Sequence, residues 1–238
     1  MIRTEPLRYD GPGGPFAGTI SWDDSSVGPR PGVLVVHTVA GRTDAETRHA
    51  EALAALGYAA LAVDLYGEAH IGAPLEEARA LMNALNSDRP LLAARMRAGH
   101  EALKRHLAVD PSRTAAIGFC FGGKAVLDLA RSGTDVKAVA SFHGIFDPPP
   151  DADDSPISAA VLMLHGWEDP LAPPEAVEAL AAELTRRGAD WQILAFGHAG
   201  HSFTNPAADR RPEGFFHEPR AAARAWAAME RFLEETLG

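Results

Sequence analysis

The sequence predicts an α/β protein with a mainly parallel central sheet and helices on both faces. Three observations carry this reading. Short apolar runs recur at 33–36, 58–67, 113–119, 137–144, 159–166 and 191–196. Amphipathic stretches separate most of them, and glycine or proline punctuates the joints. Strands that alternate with helices need crossover connections, and these build a parallel sheet covered on each side.

Each element follows in order. The Gly/Pro-rich start, with "YDGPGGPFAGTISWDD", reads as a hairpin of edge strands. Val33-Leu34-Val35-Val36 is a buried strand, because a short β-branched run bounded by turn signals fits a strand covered on both faces. "DAETRHAEALAALG" is a helix closing at Gly57, a glycine suited to the position after a helix. "YAALAVDLYG" is the next strand, followed by a loose stretch through Gly67, Gly72 and Pro74. Pro90 opens a helix to about Leu107, with Asp110-Pro111 as its stop. "RTAAIGF" is a strand, "GGKAVLDLAR" the helix directly after it, and "KAVASFHG" and "AAVLMLHG" two more strands. A helix from about Pro174 to Arg187 precedes the strand "WQILAF", and "EPRAAARAWAAMERFLEETL" is a final amphipathic helix.

Length and composition narrow the function. The 238 residues suffice for one α/β domain over 1–238, and "DPPPDADDSP" is short enough to be a surface loop within it. A net charge of −10 with no Lys/Arg cluster argues against a nucleic-acid footprint and disfavours anionic membranes, so neither is expected as a partner. No run approaches the ~20 apolar residues of a membrane-spanning helix. The start of the chain lacks a signal-peptide core, and the single cysteine cannot form an internal disulfide, so a cytoplasmic setting is expected.

That cysteine, Cys120, lies in "IGFCFGG" between a strand and a helix. The pattern G-x-nucleophile-x-G at such a joint is a nucleophile elbow. The nucleophile takes a strained backbone there, so residues two positions away must lack side chains. The following helix also directs its N-terminus at the site, favouring a thiolate and a developing oxyanion. A thiol needs a base, and the base an orienting acid. Asp169 follows a strand in "LMLHGWEDPLAPPE", and His201 follows the last strand in "FGHAGHSF". Glu168 competes with Asp169, and His198 with His201. His198-x-x-His201 has metal-ligand spacing, but glycines at 197 and 200 argue for a loop, and neither a metal site nor a cofactor is expected. His37 and His165 read as structural, hydrogen-bonded groups. The backbone N–H groups of Phe121 and of Thr38 or Val39 are candidate oxyanion donors. Tyr66, Phe119, Phe121, His143 and Phe203 are candidates to line an apolar pocket, and Arg79, Arg95 or Arg97 to clamp a carboxylate.

With "GYAALAVDLYG", "IGFCFGG", "LHGWEDPLAPPE" and "GHAGHSF", the chain resembles the dienelactone hydrolase family from about Gly32 to the final helix. The resemblance implies an α/β-hydrolase fold without a large cap domain. It implies Cys120 as nucleophile, His201 as base, Asp169 as the acid that orients it, and a small ester or lactone as substrate. Two positions depart from the family pattern. Thr38 stands where the resemblance leads one to expect a glutamate, and Asn205 where it leads one to expect a substrate-binding arginine. Both point away from dienelactone itself and leave ester or lactone hydrolysis in place. The expected state is a monomer or small homo-oligomer. A non-catalytic binding module or a thiol redox sensor on the same fold are the competing readings.

Overall fold

The computed structural model describes residues 1–25 and 27–238. Eight strands form a sheet: β1 (Ile2–Tyr9), β2 (Phe16–Asp23), β3 (Arg30–Val36), β4 (Ala59–Val63), β5 (Val109–Phe119), β6 (Ala138–Phe142), β7 (Ala160–Gly166) and β8 (Trp191–Phe196). Their order is β1-β2-β4-β3-β5-β6-β7-β8. β1 and β2 pair antiparallel, as does β2 with β4, whereas β3–β4, β6–β7 and β7–β8 are parallel. Six helices accompany them: α1 (Asp44–Ala55), α2 (Leu75–Ser87), α3 (Arg89–Lys104), α4 (Phe121–Arg131), α5 (Pro174–Arg186) and α6 (Pro219–Leu237). The α/β class and the mainly parallel sheet expected from the sequence are present. The chain divides into two compact units, Met1–Ile117 and Gly118–Gly238.

In the first unit the parallel pair β3–β4 is wholly buried except for Pro31, as expected of near-continuous Val, Leu and Ala runs. α1 opens with a capping box: Thr43 accepts from the Ala45 amide, and the Glu46 carboxylate accepts from the Thr43 N–H at 2.8 Å. That arrangement satisfies amides the first turn leaves without partners. Two boundaries differ from the sequence reading. β5 begins at Val109 and carries Asp110-Pro111 at its start rather than as a helix stop, a position where proline removes no needed donor. α2 opens immediately after Pro74, in a stretch to which the sequence reading gave no element.

In the second unit, alternation along β6 sends neighbouring side chains to opposite faces. A Cβ on Gly123 of α4 would sit 2.7 Å from Ser141 Oγ, so α4 packs on that face. Phe142 instead meets Trp226 of α6, ring centroids 6.4 Å apart. Each face of this part of the sheet therefore carries a helix. A short antiparallel pair, β9 (Asp209–Arg210) and β10 (Phe215–Phe216), lies between β8 and α6. A buried ion cluster ties α4 to α5: Glu183 receives Arg131 at 2.7 Å and Arg187 at 3.2 Å, and Asp128 receives Arg131. Among the described residues, no helix is long and apolar enough to cross a membrane.

Candidate active site

Cys120 sits between β5 and α4 with φ 55° and ψ −112°, the strained conformation that the elbow requires. Its N–H donates to Phe142 O at 3.0 Å and its carbonyl accepts from Lys124 at 3.2 Å, so both sides of the turn are fixed. The flanking glycine is a steric necessity, since a Cβ on Gly118 would fall 2.1 Å from Gly122 O. Cys120 remains partly exposed at the N-terminal end of α4, and Phe121 opens that helix.

Asp169 and His201 arrive on loops after β7 and β8. The Asp169 amide donates to Gly166 O, and Asp169 Oδ1 accepts from the Leu171 amide at 2.8 Å. Its other oxygen, Oδ2, bonds His201 Nδ1 at 2.8 Å, with both side chains buried. The His201 backbone is pinned from a distant segment: its N–H donates to Gly214 O at 2.7 Å and its carbonyl accepts from Phe216 at 3.1 Å. Nε2 is buried and makes no hydrogen bond of normal geometry. Burial disfavours the imidazolium. The bond to Asp169 and the adjacent Cys120 thiol outweigh that cost and push the His201 pKa up to about 9.

The sequence left two ambiguities at these loops. The competitors Glu168 and His198 form a separate pair, 3.1 Å apart and exposed. The His198 and His201 rings thus go to different surroundings, and no group of three metal-ligating side chains occurs among the described residues.

The remaining candidates divide between the two units. Phe119, His143 and Phe203 lie in the second unit: Phe119 stacks on Phe142 at 4.7 Å, and His143 contacts the rings of His201 and Phe203 at 5.2 and 5.3 Å. Phe121 is buried. Asn205 is exposed, and its Oδ1 accepts from the Ala207 amide, closing a local turn. Thr38, Val39 and Tyr66 form their own cluster in the first unit. The Tyr66 hydroxyl donates to Val39 O, and Thr38 O bonds His37 Nδ1 at 2.7 Å. Of the arginines considered as a carboxylate clamp, Arg95 is committed to Pro12 O and Leu65 O.

His37 is hydrogen-bonded as expected, also accepting from the Leu65 amide at 3.2 Å. His165 corrects the sequence reading. It is fully buried between Phe146 and Trp167, and neither ring nitrogen has a partner. Burial pushes its pKa down, with Asp169 opposing and His201 reinforcing that fall. The sequence reading also missed Thr204, whose hydroxyl bonds His143 Nε2 at 2.7 Å, and Phe215, whose ring meets His201 at 5.3 Å. Thr204 lies within the His201 loop and was available to inspection. Phe215 gave no signal, because only the fold returns β10 to that loop.

A model of the dienelactone hydrolase family matches residues 16–237. A solved structure named m3DLH is 40% identical, with TM-score 0.93 over 100% of this chain and 99% of its own. A second, from metagenomic libraries, is described as a dienelactone hydrolase-like promiscuous phosphotriesterase. It is 36% identical, with TM-score 0.94 and the same coverage. A Yersinia pestis protein provisionally named carboxymethylenebutenolidase is 29% identical over 88% of this chain and 80% of its own. With a matching sheet, a cysteine elbow and a family match across nearly its whole length, this chain belongs to the dienelactone hydrolase family.

Proposed function

We propose that the protein hydrolyses a carboxylic ester or lactone, with Cys120 as nucleophile, His201 as its proton-transfer partner and Asp169 as the orienting acid. The observation that carries this reading is the buried Asp169–His201 bond, which leaves Nε2 available beside a cysteine on a strained elbow. A relative described as dienelactone hydrolase-like and one provisionally named carboxymethylenebutenolidase support the substrate class.

The chemistry is acyl transfer. The Cys120 thiolate forms a bond to the carbonyl carbon, and the C=O pair moves onto oxygen. The Phe121 N–H donates to that oxyanion, a contribution of about 3–4 kcal/mol in the transition state. Collapse expels the alcohol oxygen, which takes a proton from the His201 imidazolium. Water then gives its proton to neutral His201 and attacks the thioester carbonyl, and the thiolate departs. The glycine at 118 suits this attack because it lets the backbone turn tightly against Gly122 and present Cys120 at the start of α4.

The test is a single-turnover mix with p-nitrophenyl acetate, following phenolate release and intact protein mass. One acetyl group on the wild type, absent from Cys120→Ala, is the expected result. No burst and no mass gain in either protein overturns the reading. The 36% identical phosphotriesterase relative favours a second substrate class, since attack at phosphorus would use the same thiolate and amide. Diethyl p-nitrophenyl phosphate in the same assay, turned over by wild type and not by Cys120→Ala, would establish it.

A further inference from the structure

Four residues other than glycine adopt left-handed φ among those described: Cys120, His143, His198 and Ser202, at 55°, 38°, 61° and 63°. Strain of this kind persists only where the surroundings enforce it, and it concentrates at functional sites. Cys120 owes its conformation to the elbow, and Ser202 follows His201 directly. His198 lies on the exposed rim. His143 has no part in the acyl-transfer steps, yet it is buried and fixed at several points.

Its N–H donates to Leu164 O at 2.9 Å, and Nε2 bonds Thr204 Oγ1 at 2.7 Å. The ring stands nearly perpendicular to Phe203 (81°) and steeply inclined to His201 (68°), centroids 5.3 and 5.2 Å away. His201 itself has one side-chain hydrogen bond, at Nδ1. A single bond leaves an imidazole able to swing about that axis, so its plane must be set by packing. Two rings do this, Phe215 and His143. Phe215 reaches the site from β10, where its backbone bridges to His201 and its ring lies under the Arg210 guanidinium. His143 is anchored by polar bonds at both its backbone and its ring, and the Thr204 bond is one that a single substitution removes.

We propose that His143, held by Thr204, is a positioning residue that fixes the plane of the His201 imidazole so that Nε2 stays directed at Cys120. This rests on the assignment of Cys120 and His201 to the reaction. The titratable groups around His201 are Asp169, Cys120, His143 and His165, and only the first two raise its pKa. A loosened ring weakens both of those contacts, so losing the anchor carries a pH signature as well as a rate loss.

The experiment compares Thr204→Val, Thr204→Ser and His143→Asn, the last chosen because asparagine tolerates left-handed backbone. Three quantities are read: the acylation burst with p-nitrophenyl acetate, its pH profile, and the pH dependence of Cys120 alkylation by iodoacetamide. Thr204→Val and His143→Asn are expected to slow acylation by about 10- to 100-fold, a loss typical of a misplaced catalytic group. KM should stay within about 2-fold, since binding is not the function removed. The alkaline limb should move to lower pH and the alkylation curve to higher pH, because a displaced imidazolium stabilises the thiolate less, and Thr204→Ser should restore both.

Wild-type acylation and pH profile in Thr204→Val, with Cys120→Ala and His201→Ala inactive, overturns the inference and leaves the proposed function standing. A change confined to KM, or a loss unrelieved by serine in folded protein, overturns it too by pointing to a pocket or scaffold role. Activity surviving in Cys120→Ala would sink the proposed function itself.

Discussion

The loops after β7 and β8 each supply two candidate groups, and they form two acid–histidine pairs with opposite fates. Glu168 and His198 meet at 3.1 Å with their side chains 49% and 94% exposed. Asp169 and His201 meet at 2.8 Å with side chains 0% and 2% exposed. The chemistry is nearly the same and the sequence separation small. What differs is everything around them: the Leu171 amide on Asp169, Gly214 and Phe216 on the His201 backbone, and Phe215 and His143 on its ring. An ion pair acquires a function when its surroundings remove its freedom and its water. The exposed pair has neither constraint, and pairs of that kind contribute about 0–1 kcal/mol.

The largest expected effect separates the two histidines. His201→Ala should lower turnover by about 10³-fold or more, the scale for removing a catalytic base. His198→Ala should leave kcat/KM within about 2-fold, because its partner and its ring lie at the surface. Parallel steady-state assays on one ester decide this, and equal losses in both variants would erase the distinction.

The two acids provide the next contrast, read in pH rather than rate alone. His201 holds its proton up to about 9, and the Asp169 bond is the first of the contributions that raise it. Where the imidazolium supplies the leaving-group proton, activity falls as pH rises through that value. Asp169→Asn should therefore shift the alkaline limb to lower pH and cut kcat by up to about 10⁴-fold. Glu168→Gln should move neither. A limb that stays near 9 in Asp169→Asn would show that the titration belongs to another group.

Much of this arrangement was legible in the sequence, and the reasons for the rest are physical. The elbow was readable because its sterics are local: a residue at φ 55° in so tight a turn needs small neighbours, and Gly118 and Gly122 advertise that need. Strand-to-loop junctions were readable because apolar runs end where the sheet does. Residue types alone left Glu168 beside Asp169, and the family resemblance named Asp169; that one neighbour is buried and the next exposed is a tertiary fact. α2 escaped notice because it buries only Ala78 and Leu85, too few to print a strong apolar stripe behind Pro74. His165 looked like an ordinary hydrogen-bonded core histidine, and nothing in "MLHGW" shows that no donor or acceptor reaches its ring.

The smallest effect concerns stability. The folded-state pKa of His201 is raised above its ordinary 6.5, so the protonated ring stabilises the fold. That stabilisation is fully present below about pH 6.5 and is lost as pH rises through about 9. Denaturation midpoints of the wild type should fall across this window, and those of His201→Gln should fall less. Glu168→Gln should keep the wild-type slope. Identical slopes in the wild type and His201→Gln would show that the buried pair contributes nothing to pH-dependent stability.

The pinning of His201 by Gly214 and Phe216 has a consequence for how such a scaffold diversifies. The His201 backbone is secured by a segment more than ten residues downstream. Asn205, Pro206 and Ala207 are exposed and sit outside that brace. Substitution at these three positions touches neither of the two backbone bonds that hold His201. Under the proposed mechanism, that gives selection or a protein engineer a place to reshape substrate preference without rebuilding the chemistry.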